Sequence, residues 1–135
     1  MRLNNTLQED WVAHPDSNSE WSHCPVIPLY VTHMSLAGVQ PLEPGYRRCE
    51  IRPQPASLEL LDVTTHTPLG PIVVEARGER GARELSITMP SGCAGELVVP
   101  KAEVIALSPL AAPTPAGQRR YRLPEGRTSL VLKAT

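Results

Sequence analysis

The hydrophobic positions of the chain follow two different periods, and the change falls at Gly38. Residues 22–38 are mostly apolar, Pro25 suits a first helical turn and Gly38 suits the position after a helix end, which together predict an α-helix. Residues 1–21 are polar and acidic without a sustained period, and we interpret them as a polar lead-in. Residues 39–135 alternate apolar and polar positions in short runs, which predicts β-strands.

The β-rich part is predicted to be a sandwich. Its strongest signal is a hairpin, in which residues 72–77 and 84–89 alternate on either side of the turn GERG. A change of phase within residues 58–63 predicts a bulge, and RRYRL and TSLVLKA are predicted to form a closing pair of strands. About eight short strands with turns every ~10 residues indicate an antiparallel β-sandwich, which we expect to be jelly-roll-like because the Cys, Trp, Cys pattern of immunoglobulin domains does not occur. The predicted fold is therefore mainly β, preceded by one α-helix.

Length, composition and charge exclude several classes of protein. The 135 residues suffice for one domain with a modest core. The apolar content of 41% is too high for disorder, and no run reaches the ~18 apolar residues of a membrane helix. Because the net charge is only −1, we expect neither nucleic acid nor a membrane as a partner. Two arginine clusters are interpreted as solvated strand faces: Arg47, Arg48 and Arg52, and Arg119, Arg120, Arg122 and Arg127.

The cysteines and the N-terminal residues bear on the cellular compartment. Cys24, Cys49 and Cys93 are odd in number and widely spaced, which argues against a disulfide framework. Cys49 is expected on the inward face with Ile51, and the three thiols are expected to be separate and reduced. The N-terminus has no apolar region of a signal peptide, so a cytoplasmic location is expected if the chain is complete. No location is assigned if the chain is a fragment of a secreted enzyme.

Few residues have the types and the spacing that catalysis or metal binding needs. Asp16, Ser22 and His23 have the residue types of a hydrolytic triad, but Ser22 is better placed at a helix start. Asp16 with Glu20 is the close acidic pair ahead of the helix, and an acidic loop explains it more simply. A metal site has little support, because the candidate ligands show no recognised spacing: His14, His23, Cys24, His33 and His66. We therefore expect no metal and no cofactor, and we assign no catalytic residue.

Two stretches carry a resemblance to a known family: SEWSHCPVIPLYVTHMSLAGVQPLEPGYRRCEIRPQP, and further along LSITMPSGCAGELVVP. Together they resemble the C-terminal part of bacterial α-L-rhamnosidases and related glycoside hydrolases built on an (α/α)6 barrel. In that family the last barrel helix leads into Gly-Ile-Arg-Pro, then Pro-Gly-Phe and an Ile-x-Pro strand. The matching residues here are GVQP at 38–41, PGY at 44–46 and IRP at 51–53.

The resemblance implies that the helix over 22–38 corresponds to the last barrel helix and that a C-terminal β-sandwich follows it. It places the catalytic acid and base of the family in barrel segments upstream, so the chain is not expected to be active alone. The family has His-Ala-Trp just before this helix, and its histidine falls on Ser22, with His23 beside it. Trp21 and His23 are therefore candidate substrate-binding residues. The simpler alternative is that Trp21 packs and His23 hydrogen-bonds a loop.

The function implied by the resemblance is a structural accessory domain that covers one end of a helical catalytic barrel. The chain would then be a fragment, a truncated product or one part of a split enzyme. The alternative is a free-standing carbohydrate-binding module, although the two Trp and three Tyr suggest no row of exposed aromatics. The apolar residues of the helix cover about 220°, more than the ~100° stripe of a helix on one surface. We therefore expect a barrel as its partner, or a homo-oligomer of the isolated chain through residues 25–37.

Overall fold

The described part of the chain is mainly β, as the sequence predicts. The computed structural model describes residues 26–108 and 119–135, so the predicted lead-in over 1–21 lies outside the described residues. The strands are β1 (Val39–Pro41), β2 (Arg48–Ile51), β3 (Leu60–Thr67), β4 (Gly70–Arg77), β5 (Ala82–Met89), β6 (Ala94–Val98), β7 (Glu103–Leu107), β8 (Arg120–Leu123) and β9 (Gly126–Ala134). They form two sheets, with strand orders β1-β2-β6-β8 and β3-β4-β5-β9-β7. The predicted β-sandwich is confirmed.

A short helical segment precedes the sheets. Helix α1 spans Ile27–Val31 and continues as a π-helix over Thr32–Leu36. The N–H of Ala37 donates to the carbonyl of Thr32 at 2.9 Å, which closes the wider π turn. Gly38 follows with φ +69°, the conformation that suits the residue after a helix end. Among residues 26–108 and 119–135, no helix is long and apolar enough to cross a membrane.

The core lies between the sheets and consists of alternate residues of the strands. The predicted hairpin of residues 72–77 with 84–89 is confirmed, because β4 pairs antiparallel with β5 and both bury alternate side chains. The second sheet contributes Leu61, Val63, Ile72, Val74, Ala76, Leu85, Ile87, Met89, Leu130 and Leu132. The first sheet contributes Val39, Cys49, Ile51, Leu97 and Leu123.

Strand β3 has no bulge, contrary to the prediction for residues 58–63. It pairs with β4 along its whole length in one continuous register. Leu61 and Val63 are buried in the core, whereas Leu58 and Leu60 are 42% and 61% exposed. The change of phase in the sequence therefore marks apolar residues that stay on the surface, which is common because much of any protein surface is apolar.

The last two strands do not pair with each other, so the predicted closing pair is wrong. Strand β8 pairs antiparallel with β6 in the first sheet, and β9 pairs antiparallel with β5 and β7 in the second. Pro124 follows β8 and has no N–H to donate to a hairpin ladder, and the chain changes sheets at this point. The first sheet also contains a parallel pair, β2 with β6, in an otherwise antiparallel fold.

A buried ion pair connects β5, β7 and the loop before β3. The side chains of Arg83 and Glu103 are only 3% and 7% exposed, and Arg83 Nη1 lies 3.7 Å from Glu103 Oε1. Arg83 Nη2 also donates to the carbonyl oxygens of Ala56 and Leu58, both at 3.1 Å. These bonds compensate for removing the guanidinium from water, and they connect the loop before β3 to β5.

We predict that Arg83→Ala lowers the free energy of unfolding by about 3–5 kcal/mol, because it leaves the Glu103 carboxylate buried without its partner. The measurement is urea unfolding followed by circular dichroism. The control is Arg80→Ala in the neighbouring turn, where the exposed side chain should contribute no more than ~0.5 kcal/mol. Equal losses for the two variants would contradict the prediction.

Candidate functional site

The joint between helix and sheet, residues 36–54, is held by backbone hydrogen bonds. The N–H of Arg52 donates to the carbonyl of Gly38, and the N–H of Gln54 donates to the carbonyl of Leu36, both at 2.9 Å. Strand β1 continues this contact by pairing antiparallel with β2. The helical segment is therefore fixed at one edge of the first sheet, because β1 is the edge strand there.

Gly38 is required at the joint for two reasons. Its φ of +69° lies in the left-handed region that side chains disfavour. A Cβ at this position would also overlap the backbone carbonyl group of Arg52. The two chain segments can approach closely enough to hydrogen-bond only when this residue has no side chain.

A second contact ties the π-helix to the other sheet. His33 Nδ1 lies 2.8 Å from the hydroxyl of Thr65, a buried residue of β3. His66 follows on the same strand but is exposed, because successive side chains of a strand point to opposite faces. The structure therefore does not bring His33 and His66 together, and His33 connects the helical segment to the sandwich.

The residues before this contact form an exposed apolar surface. Its members are Val26, Ile27, Leu29, Tyr30 and Val31, which we call the apolar helix surface, and each is 41–63% exposed. Exposed apolar residues on several sides of one helical turn are typical of a helix that packs against a partner. This surface is the candidate functional site of the chain.

The arginines of the two clusters are mostly exposed, as the prediction of solvated strand faces requires, and carboxylates of the first sheet link the clusters. Glu50 is 7% exposed, and its two oxygens lie 2.8 Å from Arg52 Nη2 and 2.8 Å from Arg120 Nη1. Arg120 also contacts Glu96 at 3.1 Å, and Arg48 lies 3.8 Å from the same carboxylate. One arginine from each predicted cluster therefore shares Glu50: Arg52 is two residues away in the chain, and Arg120 reaches it because β2, β6 and β8 are neighbours.

Two of the thiols predicted to be separate are neighbours. Cys49 Sγ and Cys93 Sγ lie 3.4 Å apart, with Cys49 buried beside Ile51 as predicted. The parallel pairing of β2 with β6 brings them together, because it sets Cys49 opposite Gly95, two residues after Cys93. Burial, together with the hydrogen bond and charge of Cys93, raises the pKa of Cys49 to about 12, so this thiol stays protonated near neutral pH.

The two candidate substrate-binding residues, Trp21 and His23, lie outside the described residues. So do Asp16, Glu20 and Ser22, together with His14 and Cys24 of the candidate metal ligands. Within residues 26–108 and 119–135, no three His, Cys, Asp or Glu side chains come close enough to hold a metal ion. The described residues do form an exposed apolar helix surface, paired charges on a sheet and a pair of neighbouring thiols.

The described residues thus form a two-sheet β domain with an exposed apolar helical segment at the edge of the first sheet. The sequence model of the family described as "Bacterial alpha-L-rhamnosidase C-terminal domain" matches residues 38–107, more than half of the chain. The chain belongs to this family, and the resemblance predicted from the joint is confirmed. Among curated proteins, none has a sequence that matches the chain.

Two solved enzymes contain the same fold. The Streptomyces avermitilis α-L-rhamnosidase complexed with L-rhamnose aligns over 85% of this chain with a TM-score of 0.62 and 18% identity. The α-L-rhamnosidase from Dictyoglumus thermophilum aligns over 95% of this chain with a TM-score of 0.69 and 17% identity. The chain covers only 11% and 16% of those two proteins, so it corresponds to a small part of each.

We predict that Gly38→Ala loosens the joint. Gly45→Ala is the matched control, because Gly45 has nearly the same φ, +70°, with no atom near the position of a Cβ. Gly45→Ala should cost about 1–2 kcal/mol from the left-handed backbone alone. Gly38→Ala should cost more than ~3 kcal/mol, because the Arg52 carbonyl must also move. Urea unfolding of both variants provides the comparison, and a Gly38→Ala cost no larger than that of the control would contradict the close approach.

Proposed function

We propose that this chain is an accessory domain that packs against the helical catalytic barrel of an α-L-rhamnosidase-type glycoside hydrolase. In this role it covers one end of the barrel and supplies no acid or base for hydrolysis. Membership of the α-L-rhamnosidase C-terminal family supports the kind of partner, and the small share of the solved enzymes that the chain covers supports an accessory role. The catalytic domain would belong to the same polypeptide or to a separate one.

The observation that carries the proposal is the apolar helix surface. Its five side chains are exposed on a segment that the joint and the His33–Thr65 contact fix to the sandwich. A rigidly held apolar helix can bury its free sides against other helices with little loss of conformational entropy. Neighbouring helices of a barrel would supply such a surface.

The tyrosines of the described residues favour this role over a free-standing carbohydrate-binding module. Sugar-binding surfaces commonly stack a ring on an exposed aromatic side chain. In the part of the chain that the structure describes, Tyr46 and Tyr121 pack against the core, and Tyr30 belongs to the apolar helix surface. These three tyrosines do not form a row along one strand face.

The connectivity supports a jelly-roll-like arrangement as the finer description of the fold. From β5 onward, each successive strand changes sheet: β6 and β8 lie in the first sheet, and β7 and β9 in the second. Repeated crossing between two facing sheets is a feature of jelly rolls. The parallel pair of β2 and β6 results from the first of these crossings.

The isolated chain is predicted not to hydrolyse an aryl α-L-rhamnoside. Hydrolysis requires a carboxylic acid and a carboxylate on either side of the glycosidic bond, and the resemblance places both in the catalytic barrel. The assay follows release of the aryl group, with a heat-denatured sample as its control. Turnover that persists after a second purification would show that the chain carries its own catalytic groups.

The isolated chain is also predicted to form a dimer or larger oligomer at micromolar concentration, because association hides the apolar helix surface. Light scattering measures the mass. Ile27→Glu with Val31→Glu should give a monomer, since these residues are one helical turn apart on one side of the segment. Val104→Glu with Leu107→Glu on β7 is the matched control, because it removes exposed apolar residues elsewhere and should leave the oligomer intact.

Binding to a catalytic domain tests the proposed partner directly. A helical catalytic domain of an α-L-rhamnosidase, prepared without its own C-terminal sandwich, should bind the wild-type chain and unfold at a higher temperature in its presence. The Ile27→Glu, Val31→Glu variant should neither bind nor raise that temperature. Binding that is unchanged by the double substitution would contradict packing through the helix.

A further inference from the structure

We propose that Cys49 and Cys93 are an oxidative modification site, at which a peroxide forms an intramolecular disulfide that locks β2 to the start of β6. The two sulfur atoms lie 3.4 Å apart, and both residues are free thiols. A disulfide needs a separation of about 2.05 Å, so closing the bond requires a sulfur movement of roughly 1.4 Å. Small rotations of the two side chains can supply this movement without a change of strand pairing.

Backbone pairing holds the two cysteines next to each other. Cys49 lies opposite Gly95 in the parallel register of β2 and β6, and the N–H of Ala94 donates to the carbonyl of Arg47 at 2.9 Å. Cys93 directly precedes β6, two residues before Gly95 and therefore on the same face of the strand. The parallel register therefore places both cysteines on one face of the first sheet.

The two thiols differ in exposure, which sets the order of the reaction. Cys49 is fully buried, whereas Cys93 is partly exposed beside the turn that precedes β6. Burial and the contact with Cys93 raise the pKa of Cys49 to about 12, so Cys49 is a poor first nucleophile. The peroxide therefore oxidises Cys93 first, and Cys49 then reacts with the oxidised Cys93 to form the disulfide.

With hydrogen peroxide as the oxidant, the reaction balances in two steps. The Cys93 thiolate attacks one peroxide oxygen, the O–O bond breaks, and the departing hydroxide takes up the proton that the thiol released and leaves as water, which yields a sulfenic acid. The Cys49 sulfur then attacks the sulfenic sulfur, the S–O bond breaks, and the hydroxyl leaves as water with the Cys49 proton. The two thiols together lose two electrons and two protons, and the peroxide is reduced to two molecules of water.

The disulfide would stabilise the contact between β2 and β6, which costs loop-closure entropy to form because the two strands are far apart in the sequence. The two cysteines are 44 positions apart in the sequence, and the chain between them makes the hairpin of β4 and β5 in the other sheet. A cross-link over such a separation removes loop-closure entropy from the unfolded chain. Oxidation should therefore stabilise the folded state, in which β2 pairs with β6.

The experiment uses the full chain with Cys24→Ser, so that only the two neighbouring thiols remain. After treatment with hydrogen peroxide, the intact mass should fall by about 2 Da, no thiol should titrate in denaturant, and a non-reducing digest should contain one peptide pair that joins Cys49 to Cys93. The unfolding temperature should rise by roughly 5–15 °C and return to its starting value after reduction. Cys93→Ser in the same background is the control, and its mass should not fall.

Three results would overturn the formation of the disulfide, and a fourth would overturn its effect. The first is two titratable thiols after treatment, and the second is a disulfide between two chains, seen as a doubled mass. The third is stable addition of oxygen at Cys93, which would show that Cys49 does not reach the sulfenic acid. An intramolecular disulfide that leaves the unfolding temperature unchanged would overturn the locking of β2 to β6.

Discussion

The close approach of Gly38 to Arg52 is the constraint on which the placement of the helical segment depends. The hydrogen bond between their backbones is possible because Gly38 has no side chain and adopts φ +69°. This contact starts the antiparallel pairing of β1 with β2, and it sets the helical segment at the edge of the first sheet. A longer or looser connection would let the helix move independently, and its apolar residues could then fold back on the sandwich.

Two buried charged groups organise the sandwich in different ways. Arg83 satisfies three backbone carbonyls, of Ala56, Leu58 and Gly78, as well as its ion pair with Glu103. Glu50 joins arginines that are far apart in the sequence, because β2, β6 and β8 are neighbours. Charges are costly to bury unless they are paired, so each group favours one strand order over its alternatives.

The fold separates the surfaces of the domain by chemistry. The first sheet carries alternating charges that compensate one another, whereas the helical segment at its edge presents apolar side chains to solvent. In this member of the α-L-rhamnosidase C-terminal domain family, the division leaves the helical segment as an exposed apolar surface of the domain. Cys49 lies in the core between the sheets, and the partly exposed Cys93 lies beside it.

The sequence pattern by itself determined the joint, the helix end at Gly38, the β4–β5 hairpin and the family. These features depend on neighbours in the chain: an alternation of period two, a glycine after an apolar helix, and a short ordered set of motifs. The same local patterns also identified Cys49 as inward-facing, because it shares a face with Ile51.

Only the tertiary structure decided which strands are neighbours. The separation of β8 from β9, the sharing of Glu50 by Arg52 and Arg120, and the meeting of Cys49 with Cys93 all follow from the order β2-β6-β8. A strand of alternating residues can pair with any other strand of similar length, so local pattern does not specify its partner. Partner choice depends on the packing of the whole core and on where buried charges find their counterparts, and these are properties of the folded chain.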